Sequence, residues 1–172
     1  KSRLLLVSRM RALFRFVAKE VERKFLVKDD AWRKHVMAAV GIRQFYLAGM
    51  AGRSVRIRIR DDGTATLTLK FGSHGRERDE YEYAVPLEEA EEMLRFALGH
   101  VIEKTRHHVR YGGRLYEVDV FAGGLAGLIL AELETPDEVP VGELPPWLGQ
   151  EVTDDAAYYN ASLALHGLPT AA

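Results

Sequence analysis

The stretch EVERKFLV, residues 20–27, places Glu20, Glu22 and Lys24 at every second position. On a β-strand these three side chains share one face, because residues i and i+2 point the same way. Carboxylate oxygens are the donors that hard divalent cations prefer, and an ammonium group draws phosphoryl oxygens. The chemistry such a face offers is a joint grip on a metal ion and an oxyanion. A single alternating strand, however, is commonly the wet side of an antiparallel sheet.

The same phase recurs along the chain. Arg56, Arg58 and Arg60 alternate with Val55, Ile57 and Ile59, and Thr66, Thr68 and Lys70 alternate with Leu67 and Leu69. Glu80 and Glu82 alternate with Tyr81 and Tyr83, Glu117 and Asp119 with Tyr116, Val118 and Val120, and Glu132 and Glu134 with Ala131 and Leu133; Lys104 and Arg106 form a further basic pair. The signs are sorted by strand. A free surface is stabilised by mixing them, since opposite charges across a ladder attract and like charges repel. Sorting implies that the charged faces converge on one interior.

A sheet closed into a barrel turns one face inward, and eight strands enclose room for one small ligand. A charged lumen of this kind is costly unless its charges are paired. In phase, leaving out Arg60 as near a strand end, are the acids Glu20, Glu22, Glu80, Glu82, Glu117, Asp119, Glu132 and Glu134 against the bases Lys24, Arg56, Arg58, Lys70, Lys104 and Arg106, eight against six, or −2. Two divalent cations bring the balance to +2, which suits a polyanion such as triphosphate.

The elements that must position these groups are mostly strands. Period-two alternation predicts strands at 19–27, 43–48, 54–60, 64–71, 79–85, 101–111, 114–121 and 128–135, with turns at Asp61-Asp62-Gly63, Gly72-Ser73-His74-Gly75 and Gly112-Gly113. Helices are predicted at 29–40 (capped by Asp29 and Asp30), 86–98 (opened by Pro86) and 153–166 (capped by Thr153), each stopped by a glycine: Gly41, Gly99 and Gly167. The fold class is α+β, an eight-stranded antiparallel barrel with flanking helices. The Pro-rich stretch 136–148 reads as a connector to the last helix.

The chain of 172 residues carries 24 basic and 25 acidic residues, a net charge of −1, so no global field argues for nucleic acid. It has no cysteine, which excludes disulfides, thiolate metal sites and a cysteine nucleophile. No apolar run reaches the roughly 18 residues of a membrane span, and a cytoplasmic protein with no membrane partner is expected. Residues 1–18 hold five basic and no acidic residues and read as an extension outside the domain, or as a targeting or membrane-surface helix; residues 19–172 form one domain. His107 and His108 are adjacent and so point to opposite sides of a strand, which disfavours a shared metal. Trp32 and Trp147 read as packing residues. Gly123, Gly124 and Gly127 precede no GKS or GKT, and there is no Gly-x-Ser-x-Gly elbow.

EVERKF resembles the Glu-x-Glu-x-Lys signature of the CYTH superfamily, the triphosphate tunnel metalloenzymes. The likeness continues through QFYL (44–47), VRIRIR (55–60), TLTLK (66–70), RDEYEY (78–83, led by Arg78), EKTRHHV (103–109), YEVDVFAG (116–123), LAELE (130–134) and PPWLGQEVT (145–153), spanning about residues 19–166. It is greatest to the small bacterial single-domain members. The resemblance implies an antiparallel tunnel and Mg2+- or Mn2+-dependent hydrolysis of triphosphate, with one or two ions. It implies Glu20, Glu22 and one or both of Glu132 and Glu134 around the metals, with Glu80, Glu82 and Asp119 helping to place metal or water. It implies Lys24, Arg56, Arg58, Lys70, Lys104 and Arg106 on the phosphates; in a hydrolysis of this kind Glu134 is expected to orient the water or take its proton. The segment EVTDDAAYYNASLA departs from the family, with Ala156 and Ala157 where it tends to carry basic residues. A small-molecule triphosphate is the expected partner, with a homodimer allowed. Adenylyl cyclases and thiamine triphosphatases share these motifs, and the alternatives of another class are a non-catalytic polyphosphate-binding module and a scaffold barrel with a merely solvated charged face.

Overall fold

In the computed structural model, residues 21–50, 52–72, 79–135 and 138–169 are described, without the side chains of Val21 and Met50. Glu20, Arg78 and the basic residues 1–18 lie outside them, as does most of the turn at 72–75. The strands are β1 (Val21–Val27), β2 (Val36–Met50), β3 (Arg53–Arg60), β4 (Ala65–Phe71), β5 (Asp79–Val85), β6 (Leu98–Tyr111), β7 (Arg114–Phe121), β8 (Ile129–Thr135) and β9 (Leu148–Glu151). The helices are α1 (Leu87–Met93) and α2 (Asn160–His166), with short 3-10 segments between strands.

All nine strands form one sheet in the order β5-β4-β3-β2-β6-β7-β8-β1-β9, and every pairing is antiparallel. The predicted antiparallel architecture is present with a ninth strand, β9, which pairs with β1 and starts at Leu148, the end of the stretch read as a connector. Its proline-rich approach hid it, and its four residues are too short for alternation to register.

The sheet is strongly curled. β1 and β2 are four steps apart in it, about 19 Å if it were flat. Yet the Lys24 ammonium on β1 acts on the Tyr46 phenol on β2: burial pushes that phenol up, and Arg56, Arg58 and Lys24 pull it back. Charged side chains from distant strands therefore line a common concavity.

The opposite faces pack outward. Phe25, Val109, Tyr116, Val118, Ala131 and Leu133 form an aromatic-rich core with Trp32 and Trp147. Phe45, Ile57, Ile59 and Ala65 pack under Ala90 of α1. A third cluster lies on the inner phase: Tyr46, Ile102, Phe121 and Leu130 meet Leu163 and Ala164 of α2. The C-terminal helix thus backs the charged concavity with an apolar floor. Gly99 permits this approach, with φ +67 and the position of an added Cβ only 2.3 Å from the Ala164 carbonyl oxygen.

The predicted helices are shorter than read. Asp29 does cap a turn, accepting from Ala31 N at 2.9 Å, but the turn is a 3-10 segment over Asp30–His35, and β2 begins at Val36. β2 has fifteen residues: its first half, including Met37-Ala38-Ala39, is held extended by pairing with β6, and from Ile42 onward it also pairs with β3. The second helix ends at Met93, and a 3-10 turn passes the chain into β6 at Leu98. The third begins at Asn160 rather than Thr153 and stops before Gly167, φ 77, as expected. Thr153 ties β1 instead: its hydroxyl accepts from Lys24 N at 3.0 Å and donates to Glu151 at 2.7 Å. Among the described residues, no helix is long and apolar enough to cross a membrane.

Candidate active site

Register, more than spacing, assembles the interior. Across β1 and β8, Glu22 faces Glu134 and Lys24 faces Glu132. Across β7 and β8, Glu117 faces Glu132; across β6 and β7, Arg106 faces Asp119. Across β2, β3 and β4, Gln44, Arg58 and Thr66 form one row, and Tyr46, Arg56 and Thr68 the next. Lys70 faces Glu80 on β5.

The β6–β7–β8–β1 wall is a connected ion-pair network. Arg106 grips Asp119 with two hydrogen bonds of 2.7 Å, reaches Glu132 at 2.9 Å and also bonds Glu117. Lys104 donates to the same Asp119 at 2.5 Å and lies 3.4 Å from Asn160 Oδ1 on α2. Lys24 Nζ lies 3.1 Å from Glu132 and 3.9 Å from Glu22, with the Tyr159 ring 5.6 Å away.

Burial and pairing compete at each group, and the winners differ. Burial pushes Asp119 and Glu132 up, but Lys104, Arg106 and Lys24 outweigh it and hold both below the usual carboxylate range. Burial pushes Lys24 down, yet Glu132 and Glu22 leave it raised. Lys104 goes the other way, to about 8: burial dominates, and Arg106 competes with it for Asp119. Two cations share one buried carboxylate, and the guanidinium holds it with two bonds.

The β3–β4–β5 wall is less compensated. Arg58 donates from Nε to the neutral Gln44 Oε1 at 3.2 Å, and among the described residues no carboxylate lies within ion-pair distance of it. Burial, then Arg56 and Arg106, lower it to about 10. Arg56 bonds Thr68 Oγ1 at 3.1 Å and has Glu80 only at 4.0 Å. Lys70 pairs with Glu80 at 2.8 Å, and Glu82 accepts from Thr68 at 3.3 Å.

Every described residue named from the motifs lies on the inner phase. Lys24, Arg56, Lys104, Arg106 and Asp119 are buried, Arg58, Lys70 and Glu132 half-buried, and Glu22, Glu80, Glu82 and Glu134 exposed. Sequence reasoning missed Gln44, Tyr46, Thr68, Tyr159 and Asn160. The first three sit in phase with the arginines, a signal present in QFYL and TLTLK but hidden by their neutral character. Tyr159 and Asn160 carry no periodic signal, since a helix from another part of the chain delivers them. His107 packs on the outer face against Trp32, ring centroids 5.0 Å apart, while His108 faces inward 3.6 Å from Glu117.

The CYTH domain family matches residues 18–165. The chain belongs to that family. This CYTH domain is 43% identical over 148 residues to an inorganic triphosphatase of Acetivibrio thermocellus, covering 86% of this chain and 94% of that protein. It is 38% identical over 149 residues to an inorganic triphosphatase of Nitrosomonas europaea, covering 85% and 97%. Among solved structures, an inorganic triphosphatase superposes with a TM-score of 0.65 at 36% identity over 85% of this chain and 94% of that one.

The donor set of this CYTH domain fits a hard divalent cation. Glu22 and Glu134 stand directly opposite on adjacent antiparallel strands, where like charges repel unless a cation joins them. Among the described residues, no three carboxylates or imidazoles already converge as a metal centre.

Proposed function

We propose that the protein is a divalent-metal-dependent triphosphatase that hydrolyses inorganic tripolyphosphate to pyrophosphate and phosphate within its curled sheet. The observation that carries this reading is the division of one concavity into two walls. A carboxylate pair stands in register on β1 and β8, and a half-buried, weakly compensated arginine, Arg58, stands on β3. An anion-binding site alone needs no opposed carboxylates, and a solvated face would not bury Lys104, Arg106 and Asp119. The triphosphatase relatives support the same reading.

Glu22 and Glu134, with Glu20 by sequence spacing, would hold Mg2+ or Mn2+. The ion would neutralise charge on the phosphate chain and polarise its oxygens. Glu132, Glu80, Glu82 and Asp119 accept from a cation or a hydroxyl and act as positioning groups for metal or water. Arg56, Arg58 and Lys70 neutralise the transferred and leaving groups, and Lys24 and Arg106 hold the remaining phosphate. Lys104, fully buried, acts chiefly through its field. A water oxygen attacks the terminal phosphorus, the bond from phosphorus to the bridging oxygen breaks, pyrophosphate leaves, and Glu134 accepts the water's proton.

The test is a hydrolysis screen of tripolyphosphate, ATP and thiamine triphosphate against Mg2+, Mn2+ and a chelator, scored for phosphate and for cyclic AMP. Metal-dependent turnover of tripolyphosphate in preference to the others is expected. Cyclic AMP from ATP, or tight tripolyphosphate binding without turnover, overturns the reading.

Lys104 also predicts a pH dependence. Its depressed value means that the free protein releases this proton as pH passes about 8, whereas a bound polyanion favours the charged form. Tripolyphosphate binding therefore takes up a proton just above pH 8, and the Michaelis constant rises there. Calorimetry in buffers of different ionisation enthalpy reads the uptake directly, and Lys104→Arg abolishes it.

A further inference from the structure

Buried polar groups in folded proteins nearly always have a partner, so an unpartnered one marks a place where something else binds. Among the described residues, six buried side-chain polar atoms have none. Trp32 Nε1, Tyr116 OH and Trp147 Nε1 belong to the aromatic core behind the sheet. The other three, Gln44 Nε2, Thr66 Oγ1 and Arg56 Nε, cluster on the β2–β3–β4 wall inside it.

Gln44 is fully buried, and its orientation follows from its neighbour. Arg58 has only donors, so its Nε fixes the amide oxygen of Gln44 at 3.2 Å and turns the amide NH2 away. Thr66 flanks Arg58 on the opposite side of the same cross-strand row, and Arg56 Nε comes from the adjacent row. An amide N–H, a hydroxyl and a guanidinium N–H surround one arginine that no described carboxylate neutralises. Donors and positive charge in excess of acceptors select an anion rich in oxygen. A terminal phosphoryl group offers three non-bridging oxygens, an internal one only two, so the terminal group matches this many donor directions.

We propose that Gln44 and Thr66 are substrate-contacting residues that, with Arg56 and Arg58, cradle a terminal phosphoryl group of the polyphosphate chain. The assignment rests on the triphosphatase reading. It adds two neutral donors that no charge pattern reveals, and it fixes the end of the chain that the β3 arginines hold. Gln44 has a double duty: its oxygen sets the Arg58 guanidinium and its nitrogen meets the phosphate.

The experiment compares wild type with Thr66→Val and Gln44→Met. Affinity for orthophosphate and tripolyphosphate is measured by calorimetry without added metal, tripolyphosphate kcat and KM with Mg2+, and the thermal midpoint without ligand. Each substitution is expected to weaken anion binding and raise KM by about tenfold or more, the loss of one hydrogen bond to a charged group. In Thr66→Val the free protein's midpoint should hold or rise, because a buried hydroxyl without a protein partner has been removed; Gln44→Met also removes the acceptor of Arg58 Nε, so its midpoint falls and its affinity is the readout. A purely structural role would lower the midpoint and leave the affinity of the folded fraction unchanged. Wild-type affinity and KM in both variants overturn the cradle while leaving the triphosphatase reading intact. Wild type that binds but does not turn over tripolyphosphate overturns that reading and leaves the cradle judged by affinity alone. Wild type that binds neither anion overturns both.

Discussion

The Glu22→Gln variant releases phosphate from tripolyphosphate at least about a hundredfold more slowly than wild type in Mg2+ or Mn2+, and it melts at the wild-type temperature. The two halves of this expectation have separate causes. Glu22 is exposed, and its ion-pair contact with Lys24 is long at 3.9 Å, a contact that contributes little to stability. Its place opposite Glu134 is what matters, because the pair supplies hard anionic donors from two strands at once. The amide keeps the shape and one oxygen but removes the charge that a divalent cation requires. Phosphate release and a melting curve on the same preparation decide the matter. Full activity in the variant would sink the metal assignment.

Arg106→Met destabilises the fold by about 3–5 kcal/mol, the cost of breaking a buried ion network from one side. For a domain of this size that lowers the melting temperature by roughly 6–20 °C. Removing Arg106 leaves Asp119 with Lys104 alone and takes one of the two cations from Glu132. Both carboxyls have folded-state values held below their ordinary 3.8 and 4.5, so the stability they contribute is present above those values and is lost as pH falls through the depressed ones. The gap between wild type and variant is therefore widest near neutral pH and narrows in acid, as the stranded carboxyls take up protons. Chemical denaturation from pH 7 down to pH 3 measures it; a gap that stays constant would show that the network is not its origin.

Much of this site was legible because charge sorting survives without coordinates. Arg56 and Arg58 on one strand and Glu132 and Glu134 on another must share a face wherever those segments are extended. Strand assignment held for β3 to β8 within a few residues at each end, because alternation with clear turns is a local signal. It failed at β2, whose first residues read as helix: Asp29 caps a turn there, and Met37-Ala38-Ala39 favour helix locally. Pairing with β6 outweighs a propensity worth only tenths of a kcal/mol per residue. β9 was missed for the related reason that four residues beside prolines acquire their conformation from β1.

Period-two placement of Glu22, Lys24, Arg56, Arg58, Lys104, Arg106, Asp119, Glu132 and Glu134 determined from the sequence alone that one face would be charged, and with which signs. Only the tertiary structure decided how those charges meet. Register set Glu22 against Glu134, Arg106 and Lys104 came to share Asp119, and the start of α2 brought Tyr159 and Asn160 to the network. The physical reason is range. Which way a strand residue faces follows from its own backbone, whereas pairing, burial and the resulting pKa shifts depend on residues distant in sequence that the curl of the sheet brings together.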